Sequence, residues 1–389
     1  VDWDGDFVVG GDGTRRLTPN FRLKEFRQPD GSVRVHRELV SALQLLRDRA
    51  GRQLTVRETE ADGLAAVVTG ESAAQLLGAA EAMKTRGTFA AVEKRGDGVR
   101  VAIPAPGQLP TINLEQALET AFSVTSAFET AGDRFQQITG NFDGAGLSFG
   151  PAQVNFGTGT LVPLFQAFRD ADEAALGRCF GDPDDYDDWL RVMKLPVAEQ
   201  IAWANSITTG RGGHDVIEPW KGYFQAVGRV PRFREIMVER ILRDYGARMA
   251  RAIAALQELK PGIHIDHLRC ICSLYDLVVQ QGSLDKAWSA IQARVTQESP
   301  QDQFALTRIA VEERGRRANP EWRADAVSRR IGILKGVPET VDNRQRANIN
   351  FYLLRNVRVS GTDDLLTDHV GPQCARVSRA VAAGETLLA

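Results

Sequence analysis

The spacing of apolar residues changes character once along this chain. Between residues 21 and 103 it mixes a helical period with a strand period; beyond residue 111 it is mostly helical. In 36–51, Leu39, Leu43 and Leu46 share one helical face, and Gly51 supplies a stop. Segments 53–60 and 63–70 read as strands, and 71–87 as a second helix. Segment 89–104 reads as a hairpin turning at Gly96-Asp97-Gly98. Residues 1–20 form an extended, glycine-rich lead-in.

A proline-rich connector, PAPGQLPT at 104–111, separates this unit from the rest and marks a domain boundary. Helices follow at 114–128, 161–180, 196–207, 231–259, 266–281, 283–295, 303–318 and 322–336. The main interruption is the glycine-rich stretch around Asp143, which predicts short strands. The expected class is α+β. A small α+β domain (1–103) and a linker (104–111) precede a mainly α-helical domain (112–389). No internal repeat or low-complexity tail is visible.

Composition narrows the partners. A chain of 389 residues, 43% hydrophobic and 25% charged, has the balance of a soluble globular protein of two or three domains. The net charge of −2 and the lack of a basic tract argue against nucleic acid as a partner. No apolar run reaches the roughly 20 residues of a membrane helix, so no membrane partner is expected. The acidic, glycine-rich start does not read as a signal peptide. Cys179, Cys270, Cys272 and Cys374 are too few and scattered for a disulfide framework and read as reduced thiols.

The chemistry centres on two carboxylates. Glu129 closes the apolar helical run LEQALETAFSVTSAF, beside Phe128, where reduced hydration favours the protonated role. Asp143 lies fourteen residues later in NFDGAGLSFG, where backbone N–H groups and water favour the ionised form. That spacing leaves room for a helix end, a loop and a return strand. Cleavage of a glycosidic bond needs such a pair, one carboxyl donating a proton and the other activating water or attacking carbon. Asn141, Gln153 and Asn155 are the polar candidates for holding substrate. By itself Asp143 beside Gly144 also reads as a turn residue.

This segment resembles the catalytic region of chitosanases and lysozyme-like glycoside hydrolases. In these an Asp-Gly-x-Gly motif follows a helix-ending Glu, here Asp143-Gly144-Ala145-Gly146-Leu147-Ser148-Phe149-Gly150. The resemblance implies a lysozyme-like helical domain, Glu129 as general acid, Asp143 as general base in an inverting reaction, and Ser148 as a hydroxyl holding the attacking water. Leu147 replaces the usual aromatic, and the carboxylates lie closer in sequence than in chitosanases. The helical segments at 273–288 and 329–336 also resemble the far side of such domains.

The stretch from Asn20 to Val56 resembles the D-Ala-D-Ala carboxypeptidase-like (M15-type) zinc peptidase domain of phage endolysins. The positions of its first His and Asp ligands hold Glu60 and Val67, and the closing strand VRVAIP has no His. Catalytic zinc needs about three side-chain ligands. No metal and no cofactor is therefore expected, and the domain reads as a degenerate form kept for wall binding or packing.

Several weaker signals have plainer readings. His264-x-x-His267 lacks a third ligand and reads as a helix start capped by Asp266. The acidic run at 182–188 could meet a cationic polysaccharide, but reads more simply as a solvated loop leading into a helix. Trp203, Trp220, Tyr223 and Trp288 suit saccharide stacking or, at helical spacing, a core.

The sequence thus predicts a cell-wall glycoside hydrolase acting on peptidoglycan or a related amino-sugar polysaccharide. Such a protein would work at the bacterial wall after release or injection, as an endolysin or effector. The competing readings are a non-catalytic wall-binding or structural part of a phage tail or secretion assembly, and a true chitosanase.

Overall fold

The computed structural model describes residues 1–105, 109–129, 134–365 and 371–388. Its first strands are β1 (Asp2–Asp4), β2 (Phe7–Gly10) and β3 (Val35–His36). Helix α1 (Arg37–Ala50) follows, then β4 (Leu54–Thr59) and β5 (Ala65–Gly70), helix α2 (Ala73–Thr85), and the hairpin β6 (Ala91–Arg95) and β7 (Gly98–Ala102). Next come β8 (Thr111–Ile112), α3 (Leu114–Glu129), and β9 (Ile138–Thr139), β10 (Ser148–Phe149) and β11 (Val154–Asn155).

Helices α4 (Leu161–Arg178), α5 (Pro183–Val192) and α6 (Val197–Ser206) lead to the short pair β12 (Thr208–Thr209) and β13 (Asp215–Val216). After α7 (Trp220–Arg229) and α8 (Pro231–Leu259) come α9 (Leu268–Gln281), α10 (Trp288–Glu298), α11 (Gln303–Gly315) and α12 (Arg323–Lys335). The chain closes with β14 (Thr340–Val341), β15 (Arg344–Gln345), β16 (Arg358–Val359), α13 (Thr362–Leu365) and α14 (Gly371–Ala383). The class is α+β, with helices dominant and several small, separate sheets.

The chain forms two compact units. The first takes residues 1–124, 248–366 and 387–389; the second takes 125–247 and 367–386. This partition differs from the expected cut at 104–111. The strand β8 beside the connector pairs in parallel with β16, Thr111 against Arg358, within the first unit. A partner that distant in sequence leaves no local signal.

In the first unit, β4-β5-β7-β6 form a four-stranded antiparallel sheet. Its hairpin turns at Gly96-Asp97, where Arg95 faces Gly98. Helix α1 buries Leu39, Leu43 and Leu46 and stops at Gly51, whose φ of +65° suits glycine. It starts at His36, whose Nδ1 accepts the Glu38 backbone N–H at 3.2 Å.

Helix α9 begins in the same way. The cap is His267, not Asp266: His267 Nδ1 accepts the Arg269 N–H at 3.2 Å and its Nε2–H donates to Asn356 Oδ1 at 2.8 Å. Asp266 instead accepts from Arg358 Nε and Gln303 Nε2, at 2.8 and 2.9 Å. Burial pushes the His267 imidazole down to about 4, so it stays neutral, as its two hydrogen bonds require.

Helices α9, α11 and α12 pack together around charge. Asp276 is fully buried and accepts from Arg329 Nε at 2.8 Å, with Arg330 Nε 3.7 Å from its other oxygen. Arg330 also donates to Gln281 and Gln280, both at 2.6 Å. At the end of α12, Arg37 and Arg269 donate to the Lys335 carbonyl at 3.0 and 3.3 Å, and Arg37 also to the Gly336 carbonyl. A Cβ on Gly336 would strike both guanidinium groups, so this C-cap must be glycine.

The second unit is built on rings. Phe165 packs on Trp189, Phe233, Phe224 and Phe149 with centroids 4.8 to 6.0 Å apart. The acidic run is not a loop. Asp182 caps α5 by accepting the Asp184 N–H at 2.8 Å, Pro183 opens the helix, and the remaining carboxylates lie in its first turns. Cys270, Cys272 and Cys374 are buried free thiols, and burial pushes all three up. Among the described residues no helix is long and apolar enough to cross a membrane.

Candidate functional site

Glu129 is the last residue of α3 and is half-buried. The residues after it, 130–133, lie outside the described part, and the chain resumes at Arg134, whose guanidinium donates to Ser126 Oγ at 2.8 Å. Strands β9, β10 and β11 then form a three-stranded antiparallel sheet with β10 in the middle. Ser148 faces Thr139 on one side and Asn155 on the other.

Asp143 sits in the loop from β9 to β10 and is exposed. Its Oδ1 accepts the Ala145 N–H at 3.0 Å, which leaves the rest of the carboxylate to solvent. The loop is held from inside by Asn141, whose Oδ1 accepts the Gly146 N–H at 2.7 Å. From outside, Asn141 Nδ2 donates to Asn205 Oδ1 at 2.7 Å and its backbone N–H to Thr208 Oγ1 at 3.0 Å. Gly146 has φ +84°, and a Cβ there would stand 2.9 Å from the Phe156 ring. Backbone geometry, not side-chain bulk, therefore aims Asp143 outward.

The other candidates are spent on local structure. Gln153, with φ +50°, donates from Nε2 to the Gly150 carbonyl at 3.0 Å. Asn155 Oδ1 accepts from the Thr158 N–H at 2.8 Å, and its Nδ2 donates to the Gln153 carbonyl at 3.1 Å. Ser148 is only 2% exposed. The structure gathers Asn141, Asp143, Ser148, Gln153 and Asn155 on one small sheet and its loops, with Glu129 on the helix that precedes it.

The aromatics form a core with polar tips. The indole N–H of Trp203 donates to Asp188 Oδ2 at 2.9 Å, and the Tyr223 hydroxyl to Asp185 Oδ2 at 3.0 Å. Trp220 meets Trp203 edge-on at 4.8 Å. Trp288 belongs to the first unit.

The sequence reading missed the loop that packs against Gly140, Asn141 and Phe142. Between β12 and β13, Gly210, Gly212 and Gly213 all have positive φ. A Cβ on Gly140 would lie 2.6 Å from the carbonyls of Gly213 and Asp215, so the two backbones touch. That approach stacks the exposed Phe142 ring on His214, centroids 4.6 Å apart and planes 20° from parallel. The only local signal was the cluster TTGRGGHD at 208–215.

The first unit's metal-like positions tell a different story. Val67 lies opposite Arg100 in the β5–β7 ladder. Glu60 accepts two bonds from Arg100, at 2.5 and 2.8 Å, and this pairing holds its carboxyl below the usual range. The Glu60 carboxylate is thus committed to a guanidinium. Among the described residues no three His, Cys, Asp or Glu side chains gather so as to hold a metal ion.

No family model matches this chain, and no curated protein matches it. Among solved structures it is similar to a chitosanase of glycoside hydrolase family 46 from Gynuella sunshinyii, determined in complex with chitotetraose. The two are 13% identical with a TM-score of 0.42, over 61% of this chain and 98% of the chitosanase.

Proposed function

We propose that this chain hydrolyses glycosidic bonds in an amino-sugar polymer, with peptidoglycan preferred over chitosan. The observation that carries the reading is the contrast between two carboxylates in one compact unit. Glu129 is half-buried at a helix end, whereas Asp143 is exposed on a glycine-framed loop. In the proposed reaction Glu129 gives its proton to the bridging oxygen as that oxygen leaves the anomeric carbon. Asp143 takes a proton from water, whose oxygen forms the new bond from the opposite face, so the configuration inverts.

Reducing-end release from purified sacculi and from chitosan tests the proposal. Wild type should release ends, and Glu129→Gln should lower turnover at least a hundredfold with unchanged thermal unfolding. Asp143→Asn should fall comparably and recover in part with azide, which replaces the water without needing a base. Ser148→Ala separates a water-holding hydroxyl from a strand residue: the first role costs turnover, the second only stability. The internal hydrogen bonds of Asn141, Gln153 and Asn155 favour a second reading, a wall-binding or structural module. Binding to sacculi without release of ends, in wild type as in Glu129→Gln, would establish it.

A further inference from the structure

The first unit contains a cavity of about 540 Å³, within the range of pockets that hold small organic molecules. It lies between the amino-terminal strands, helix α1 and the segment from 336 to 352. Its wall carries three arginines, Arg15, Arg16 and Arg37, and no aspartate or glutamate. An aqueous pocket with one sign of charge on low-dielectric walls concentrates ligands of the opposite sign.

The arginines play unequal parts. Arg37 is buried, and its guanidinium bonds go to the carbonyls at the end of α12, with Asp6 3.6 Å away. With its charge met by Asp6, it offers the cavity no free donor. Arg15 and Arg16 are exposed and supply the donors. The Tyr352 phenol, also in the wall, is pushed up by burial and adds no negative charge.

The remaining wall is mainly apolar, with Thr18, Ser41, Gln345 and Asn348 among its polar members. Trp3 and Ile349 are 41% and 57% exposed. The Arg37 guanidinium lies 5.6 Å from the centre of the Trp3 ring system. Asn348 fixes the opposite wall by donating to the Val124 carbonyl at 2.7 Å. A cationic side and two uncovered apolar side chains call for a ligand with an anionic end and a flat apolar body.

We propose that this cavity binds a small organic anion, a carboxylate or phosphate joined to an apolar ring. The anionic group meets Arg15 and Arg16, and the ring lies against Trp3 and Ile349. The proposal is independent of the reading of Glu129 and Asp143, which belong to the other unit.

Calorimetric titration of the full chain with four probes tests it: phenyl phosphate, phenylacetate, neutral phenylacetamide and inorganic phosphate. At least one ring-bearing anion should bind roughly tenfold or more tightly than the amide. The two anions distinguish phosphate from carboxylate as the natural group. Arg15→Glu with Arg16→Glu should weaken that anion roughly tenfold or more and leave thermal unfolding unchanged, since both side chains are exposed. Trp3→Ala should weaken the ring-bearing anion but not inorganic phosphate. The proposal is overturned if no probe binds at millimolar concentration, if the amide matches the anions, or if charge reversal changes nothing.

Discussion

The two compact units solve the problem of a core differently. In the first, buried charges are part of the packing: Arg37, Arg269, Asp276, Glu313, Arg329, Arg330 and Arg355 all lie below the surface. Among the described residues of the second unit, no Asp, Glu, Lys, Arg or His is buried. Its interior is an array of interlocked rings around Phe165 and Trp189. Rings tolerate small shifts because dispersion is not directional. Buried charges do not, since each must keep its partner or bear its full desolvation cost. The first unit should therefore respond to single substitutions and to pH in ways the second does not.

The largest effect should come from Asp276→Ala, which leaves Arg329 and Arg330 buried without their carboxylate. A loss of about 3–5 kcal/mol in urea unfolding is expected, and a loss below about 1 kcal/mol would show that the other partners of the two guanidinium groups suffice. The next is a pH effect. The folded pKa of His267 lies below its unfolded value, so the unfolded chain takes up more protons as the medium acidifies. Stability should be full above about 6.5 and fall by roughly 3 kcal/mol as pH drops toward 4. Burial shifts His36 in the same direction. The loss in His267→Asn with His36→Asn should be shallower than in wild type; an unchanged slope would assign it to carboxylates elsewhere.

Phe165→Leu should cost roughly 2 kcal/mol through lost ring contacts. That cost should not vary between pH 4 and 7, in contrast to the acid loss expected at His267. The smallest effect should follow Glu60→Gln, at about 1 kcal/mol or less, because the Arg100 pair is partly exposed. A collapse of the sheet on that change would mean the pair is a structural centre rather than a surface tie.

Local patterns in the sequence carried much of this architecture. Helix α8 spans the same 231–259 that its apolar period predicts, and α1 ends at Gly51 as its stop signal indicates. The departures have physical causes. Helix α5 begins with carboxylates, so its start shows no apolar period, and only the Asp182-Pro183 pair marks it. Helix α7 is short and contains Gly222. In α12, Arg329 and Arg330 are buried because their carboxylate partner, Asp276, lies on α9, 53 residues from Arg329 in sequence, which no local pattern announces. At the candidate site, the Asp143 loop was legible from its glycines. Its counterpart at 208–215 was not, because contact between two loops far apart in sequence leaves no periodicity to read.

The divided first unit also sets an order of events during synthesis. Arg37 leaves the ribosome 299 residues before Gly336, whose carbonyl it caps. At about 5–20 residues per second that wait lasts roughly 15 to 60 seconds. Glu38 waits longer still for the backbone N–H of Asn356. Residues 125–247, the bulk of the ring-built unit, are by then fully translated. For that interval the nascent chain carries the beginning of a charge-lined core whose partners beyond residue 248 are not yet made. The charges that make the finished core exacting keep the unfinished one hydrated, and so delay its collapse until the matching helices arrive.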